Sequence, residues 1–127
     1  MHARRLLAQL VAAAVDLPRE DTSDDAPDGA RPGTDIVTRV RATAAALPID
    51  TYPMFYTPGA QDQAAVTGSL VDDVLDMHAD VAEGLSLFAG GHTRAAAWTW
   101  RWSFDTHWGR HATQALAALH AWVADGA

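Results

Sequence analysis

Residues 98–111 read WTWRWSFDTHWGRH and hold four of the chain's five tryptophans, a phenylalanine, two histidines and the pair Arg101/Asp105. The first half alternates apolar and polar residues as a strand does. His107 and His111, in contrast, stand four apart, a spacing that brings side chains together on a helix. A strand here would need a partner, and no other segment reads as one. The flanking Ala95–Ala97 and the downstream ATQALAALHAWVA both favour helix, and the one breaker between them is Gly109. The stretch is therefore read as the middle of a single helix from about Arg94 to Ala124.

At about 100° per residue, Trp100, Phe104, His107, Trp108, His111, Ala115 and Trp122 share one side of that helix. Trp98, Arg101, Asp105, Ala112, Leu116, Leu119 and Val123 lie beside them. A helix apolar over more than half its circumference belongs at the centre of a bundle. That placement turns His107, His111, Arg101 and Asp105 into inward polar groups, each of which needs a partner.

The rest of the chain supplies three further helices. The N-terminal MHARRLLAQLVAAAVDLP places Leu6, Leu7, Leu10, Val11 and Ala14 at helical spacing. It reads as an amphipathic first helix over His2–Val15, with a cleaved targeting segment as the alternative. Residues 19–33 are acidic and rich in Pro and Gly, a composition expected of a flexible loop. A second helix opens near Thr34/Asp35 and runs to Pro48. Residues 49–68 then read as an irregular connection that folds over the core, too aromatic at Tyr52, Phe55 and Tyr56 for a bare solvent loop. Ser69 and Asp72 form a capping-box pattern before SLVDDVLDMHADVAEGLSLF, which Gly90-Gly91 ends. On this helix Leu70, Val71, Val74, Met77, His78, Val81, Leu85 and Phe88 are expected to face the core. Asp73, Asp76, Asp80 and Glu83 are expected to line a solvated face.

The expected fold is thus an all-α bundle of about four helices, one helical domain over residues 1–127, with a long, central C-terminal helix. Composition narrows the function. The net charge of −7 excludes a nucleic-acid phosphate backbone as partner, and no apolar run is long enough for a membrane span. The absence of cysteine removes disulfides and thiolate chemistry, and the absence of lysine removes Schiff bases. There is no phosphate-binding glycine loop, nucleophile elbow or hydrolase triad. A cytoplasmic location is expected.

Chemistry, if any, falls to the inward polar groups. His107 and His111, with His78 from an antiparallel preceding helix, could converge on a divalent metal. The alternative is that these imidazoles are core histidines bonded to a carbonyl or an acid. Arg101 and Asp105 read as an ion pair, or as an arginine held ready for an anion. Gly109 suggests close packing by a helix or a ring.

The block AAWTWRWSFDTHWGRHATQALAALH resembles the C-terminal signature W-x-W-R-x-S-F-acid-T-H-W-G-x-H of a bacterial family, domain of unknown function 5063. GSLVDDVLDMHADVAEGLSLFAGG and LPIDTYPMFYTPG are similar to that family's preceding helix and aromatic linker. The resemblance implies a small all-helical fold and no known activity. His78 lies outside the motif, which weighs against a defining three-histidine site. The leading expectation is a non-catalytic accessory module that binds a protein partner or small molecule. It would use its acidic face or a pocket lined by Trp100, Phe104, His107, Trp108 and His111, with Tyr52, Phe55 and Tyr56 as further ligand-binding candidates. No cofactor is expected under that reading. The rival is a small enzyme using His107 and His111, with Asp105 and Arg101 as orienting or anion-binding groups, around a divalent metal.

Overall fold

A computed structural model describes residues 1–19, 26–55 and 59–126. Helices α1 (His2–Val15) and α2 (Thr34–Ala45) precede strands β1 (Thr51–Met54) and β2 (Val66–Ser69). Helix α3 (Leu70–Ala89) follows, then α4 (Thr93–Ser103), a π-turn (Phe104–Trp108) and α5 (Gly109–Ala124). The architecture is all-α with one small two-stranded sheet, and the long C-terminal helix is present as α4, π-turn and α5. Helix α3 packs on α4, α5 and α2, while α1 packs on α5.

Two expectations change at once. The connection read as irregular contains β1 and β2, paired antiparallel with Thr51 opposite Ser69 and Met54 opposite Val66. Pro53 lacks an N–H and Gly68 a side chain, so neither strand carries the alternation that marks one in sequence. Gly68 is required here, because a Cβ would lie 2.6 Å from the Tyr52 ring packed over it. Tyr56 lies outside the described residues, as do residues 20–25 of the acidic loop. The described remainder of that loop is docked, not free. The Ala30 N–H donates to Ser86 Oγ at 2.7 Å, and Arg31 bonds Asp80 and Glu83 on α3.

The second change is in α3. Its buried residues are Leu70, Asp73, Met77, Asp80, Gly84 and Leu87, so two of the acids assigned to solvent sit on the packed face. Leu85 and Phe88, expected inside, are exposed. At its N-terminus the Ser69 hydroxyl accepts the Asp72 N–H, and the Asp50 carboxylate accepts from Ser69 Oγ and the Val71 N–H. Asp50 thereby supplies the second half of the cap that Asp72 was expected to complete. At the other end Gly91, at φ 87°, takes the left-handed turn that stops the helix.

The π-turn sets the phase of the C-terminal helix. The Gly109 N–H bonds the Phe104 carbonyl five residues back, and a Cβ at Gly109 would overlap that carbonyl and crowd the Phe104 ring. One extra residue in a turn offsets every later side chain by about 100° from a uniform α-helix. Trp108, Ala112, Ala115 and Leu119 thereby become the buried line of this helix. Trp108, 1% exposed, packs edge-on against Phe104. Its indole N–H donates to Ser103 Oγ at 3.1 Å and to the Trp100 carbonyl at 3.3 Å. The polar neighbours this buried indole requires are therefore a serine and a carbonyl of its own helix.

Two consequences can be measured. A Cβ at Gly84 would overlap the Trp100 indole, whose N–H is fixed on the Val81 carbonyl. Gly84→Ala should therefore destabilise by about 1–3 kcal/mol through overpacking, despite its gain of about 1 kcal/mol in helix propensity, as urea unfolding will show. Asp50 is held below its ordinary value of 3.8, first by the Val71 N–H and then by Ser69. Its stabilising effect is present above that ordinary value and lost as pH falls through the lowered one. Asp50→Ala should thus lower the melting temperature at neutral pH, by an amount that shrinks as the pH is taken down through the lowered value.

Candidate metal centre

Helices α3 and α5 run antiparallel, so the later acid on α3 meets the earlier histidine on the C-terminal helix. His107 Nδ1 lies 2.6 Å from Asp80 Oδ2, and His111 Nδ1 lies 2.7 Å from Asp73 Oδ1. An ionised carboxylate can only accept, so each Nδ1 is the donor. Both rings are therefore fixed with Nε2 on the far side. His111 Nε2 lies 3.1 Å from Asp76 Oδ2, and His107 Nε2 lies 4.0 Å from the same oxygen. One ligand atom each from Asp76, His107 and His111 fits within 4.8 Å of the others. Ligands about 2.0–2.1 Å from a zinc-sized ion sit roughly 3.3 Å apart in a tetrahedron. One separation already matches, and the others need contractions of an ångström or so.

The two orienting acids are buried, Asp73 at 3% and Asp80 at 5% exposure, and each is held by a second partner. Asp80 Oδ1 accepts Arg31 Nη2 at 3.2 Å. Asp73 Oδ2 accepts the Tyr52 hydroxyl. Burial, then the Asp73 hydrogen bond and charge, push the Tyr52 hydroxyl well above its ordinary value, so Tyr52 acts only as a donor here. The hydrogen bond to Asp73 raises His111 above its ordinary value of 6.5. Burial opposes the rise, and the charges of Asp76, Asp73 and Asp80 add to it. These acids favour the protonated form of His111, which lies between Asp73 and Asp76.

The cluster opens into a cavity of about 620 Å³ lined by Asp76, His107 and His111 together with Arg41, Arg110 and Gln114. Three such potential ligand atoms on the wall of a cavity would leave coordination positions free on a bound ion, as in catalytic zinc sites and unlike closed structural ones. Carboxylates behind ligating imidazoles are the usual support of such sites.

The sequence model of the family Domain of unknown function (DUF5063) matches residues 2–125. The chain belongs to this family. No curated protein and no solved structure matches it. Within this family fold the residues singled out from sequence separate into three groups.

His107 and His111 meet at the cluster, their ring centroids 5.0 Å apart. His78 does not join them. It lines a different, apolar cavity between α1 and α2 with Val74 and Met77. The three histidines therefore do not converge, and the third side chain that brings a potential ligand atom to the pair is Asp76. Arg101 and Asp105 form the second group. They pair at 3.1 Å, and Arg101 Nη1 donates to the Val15 and Leu17 carbonyls at the end of α1. This is an architectural tie between helices, and Asp105 is exposed, not inward. The third group, Trp100, Phe104 and Trp108, packs in and against the core. Tyr52 and Phe55 line a shallow cavity against Trp122, with the Tyr52 hydroxyl turned to Asp73.

Sequence reasoning missed Asp73, Asp76, Asp80 and Arg31. A signal for the acids existed: 73, 76 and 80 stand at i, i+3 and i+7, one face of a helix, opposite a helix with two histidines expected to face inward, of which His111 is half-buried and His107 is exposed. No signal pointed to Arg31, because it acts from within an acidic loop.

The unequal backing of the two histidines has a testable consequence. His111→Ala leaves Asp73 buried with Tyr52 as its remaining partner and should cost about 2 kcal/mol. His107→Ala should cost less, since Asp80 keeps Arg31. Urea denaturation of both variants checks the order, and the reverse order would contradict it.

Proposed function

We propose that this chain is a divalent-metal-binding protein, with Asp76, His107 and His111 as ligands and Asp80 and Asp73 orienting the two imidazoles. One observation carries the reading. Both histidines have Nδ1 tied to a buried carboxylate, and both present Nε2 to the same third carboxylate. Two imidazoles and one carboxylate suit a first-row ion such as zinc, manganese or iron(II), and are too nitrogen-rich for calcium or magnesium. The reading makes the expected binding module specific. It also keeps the enzyme alternative in altered form, with the metal's free positions in place of Arg101 and Asp105 as the reactive element.

The test is calorimetric titration of chelator-stripped, untagged protein with Zn2+ and Mn2+, and elemental analysis of protein purified without chelator. One ion per chain is expected. His111→Ala and His107→Ala should abolish tight binding, and Asp80→Asn should weaken it about 10–100-fold, as loss of supporting carboxylates does elsewhere. His78→Ala should leave it unchanged. Wild-type protein that takes up no ion would make the cluster an internal charge network and overturn the proposal.

A further inference from the structure

The cavity over the cluster contains a cation that no acid among the described residues pairs with. Arg41 reaches its wall from α2 and makes no ion pair among the described residues, although Asp72, Asp73 and Asp76 line the same cavity. Two of those acids are committed elsewhere: Asp73 bonds His111 and Tyr52, and Asp76 faces His111. Asp80, behind His107, is matched by Arg31. Arg110 on α5 lines the same wall, with the hydrogen-bonding side chains Thr67, Thr106 and Gln114 around it.

Charge decides what such a cavity accepts. Its lining holds two arginines against three aspartates, so these fixed charges alone leave one negative charge in excess, which disfavours anions. A divalent ion on Asp76, His107 and His111 reverses that sign and adds vacant coordination positions facing the same space. We propose that the ion and Arg41 together bind a small oxyanion group, a phosphate or a carboxylate, one oxygen on the metal and the others on the guanidinium. This rests on the metal reading of the preceding section. Arginine matches such groups because its planar fork meets two oxygens at once. The binding is conditional: metal first, anion second. Linkage requires the anion to tighten the metal by the same factor.

The experiment titrates inorganic phosphate, and separately acetate, into the Mn2+-loaded protein and into the metal-free protein by calorimetry. Phosphate binding to the loaded protein alone is expected, with acetate weaker if the site is built for phosphate and comparable if it is built for carboxylates. Arg41→Ala should load Mn2+ as wild type does and bind the anion about tenfold or more weakly, the worth of one charged hydrogen bond. Arg41→Lys should recover only part of the loss. Arg41 is exposed, so its variants should melt as wild type does. Failure of the protein to load Mn2+ or Zn2+ would overturn the metal reading and this inference with it. Normal loading with no anion binding, with equal binding to the metal-free protein, or with no effect of Arg41→Ala, would overturn this inference alone.

Discussion

Two carboxylates inside the α3 interface, Asp73 and Asp80, constrain everything built around them. An ionised carboxylate removed from water is tolerated only when its oxygens are bonded and its charge is matched. Each therefore draws partners from distant parts of the chain. Asp80 takes His107 from the C-terminal helix and Arg31 from the acidic loop. Asp73 takes His111 from the same helix and Tyr52 from the hairpin. The segments with the least intrinsic preference for order, residues 26–33 and the β1 strand, are thus fastened to the same helix as the core.

Meeting both acids at once is a geometric problem. Asp73 and Asp80 are seven residues apart, about 10 Å along a helix, while His107 and His111 span about 6 Å. The imidazoles must lean apart at Nδ1 to reach both acids, and this brings the opposite edges of the rings to Asp76 between them. The phase must also be right, and here the π-turn matters. The extra residue rotates Trp108 and His111 together relative to α4, so that Trp108 enters the core and His111, about 60° from it, reaches the seam with α3. Gly109 is the residue that lets the Phe104 carbonyl approach closely enough to make that turn.

Much of this was legible before any coordinates. The bounds of α1, α2 and α3 follow from periodicity and caps, and the C-terminal helix from its flanks and the breaker-free run. His107 and His111 stood out by their spacing. The differences along α3 share one cause: hydrophobicity alone does not decide burial. Taken alone it sends Asp73 and Asp80 to solvent and Leu85 and Phe88 to the core, and α3 does the opposite at all four positions. Acids are buried where a partner exists on another element, which is a property of pairs and invisible to a single-helix projection. His78 was misplaced in the same way. Its position on an apolar stripe was correct, but that stripe faces α1 and α2, away from the other histidines. The π-turn left one trace in sequence, a glycine in mid-helix, and nothing in composition distinguishes it from a glycine admitted for close helix packing.

The charge pattern also explains how one arrangement can be stable without an ion and still suited to hold one. The surrounding acids favour a proton on His111, whose Nε2 faces Asp76 at 3.1 Å. The acids gain a positive charge where they need one, and the raised proton affinity of His111 follows from their presence. A divalent cation at the same point would take over that electrostatic role while Asp73 and Asp80 stay on Nδ1. Loading the proposed site would displace any proton on Nε2 and leave the orienting hydrogen bonds on Nδ1 intact. The supporting acids are buried and the ligating edge faces a cavity, so loading needs no rearrangement of the bundle. What changes is the cavity's charge, which becomes more positive.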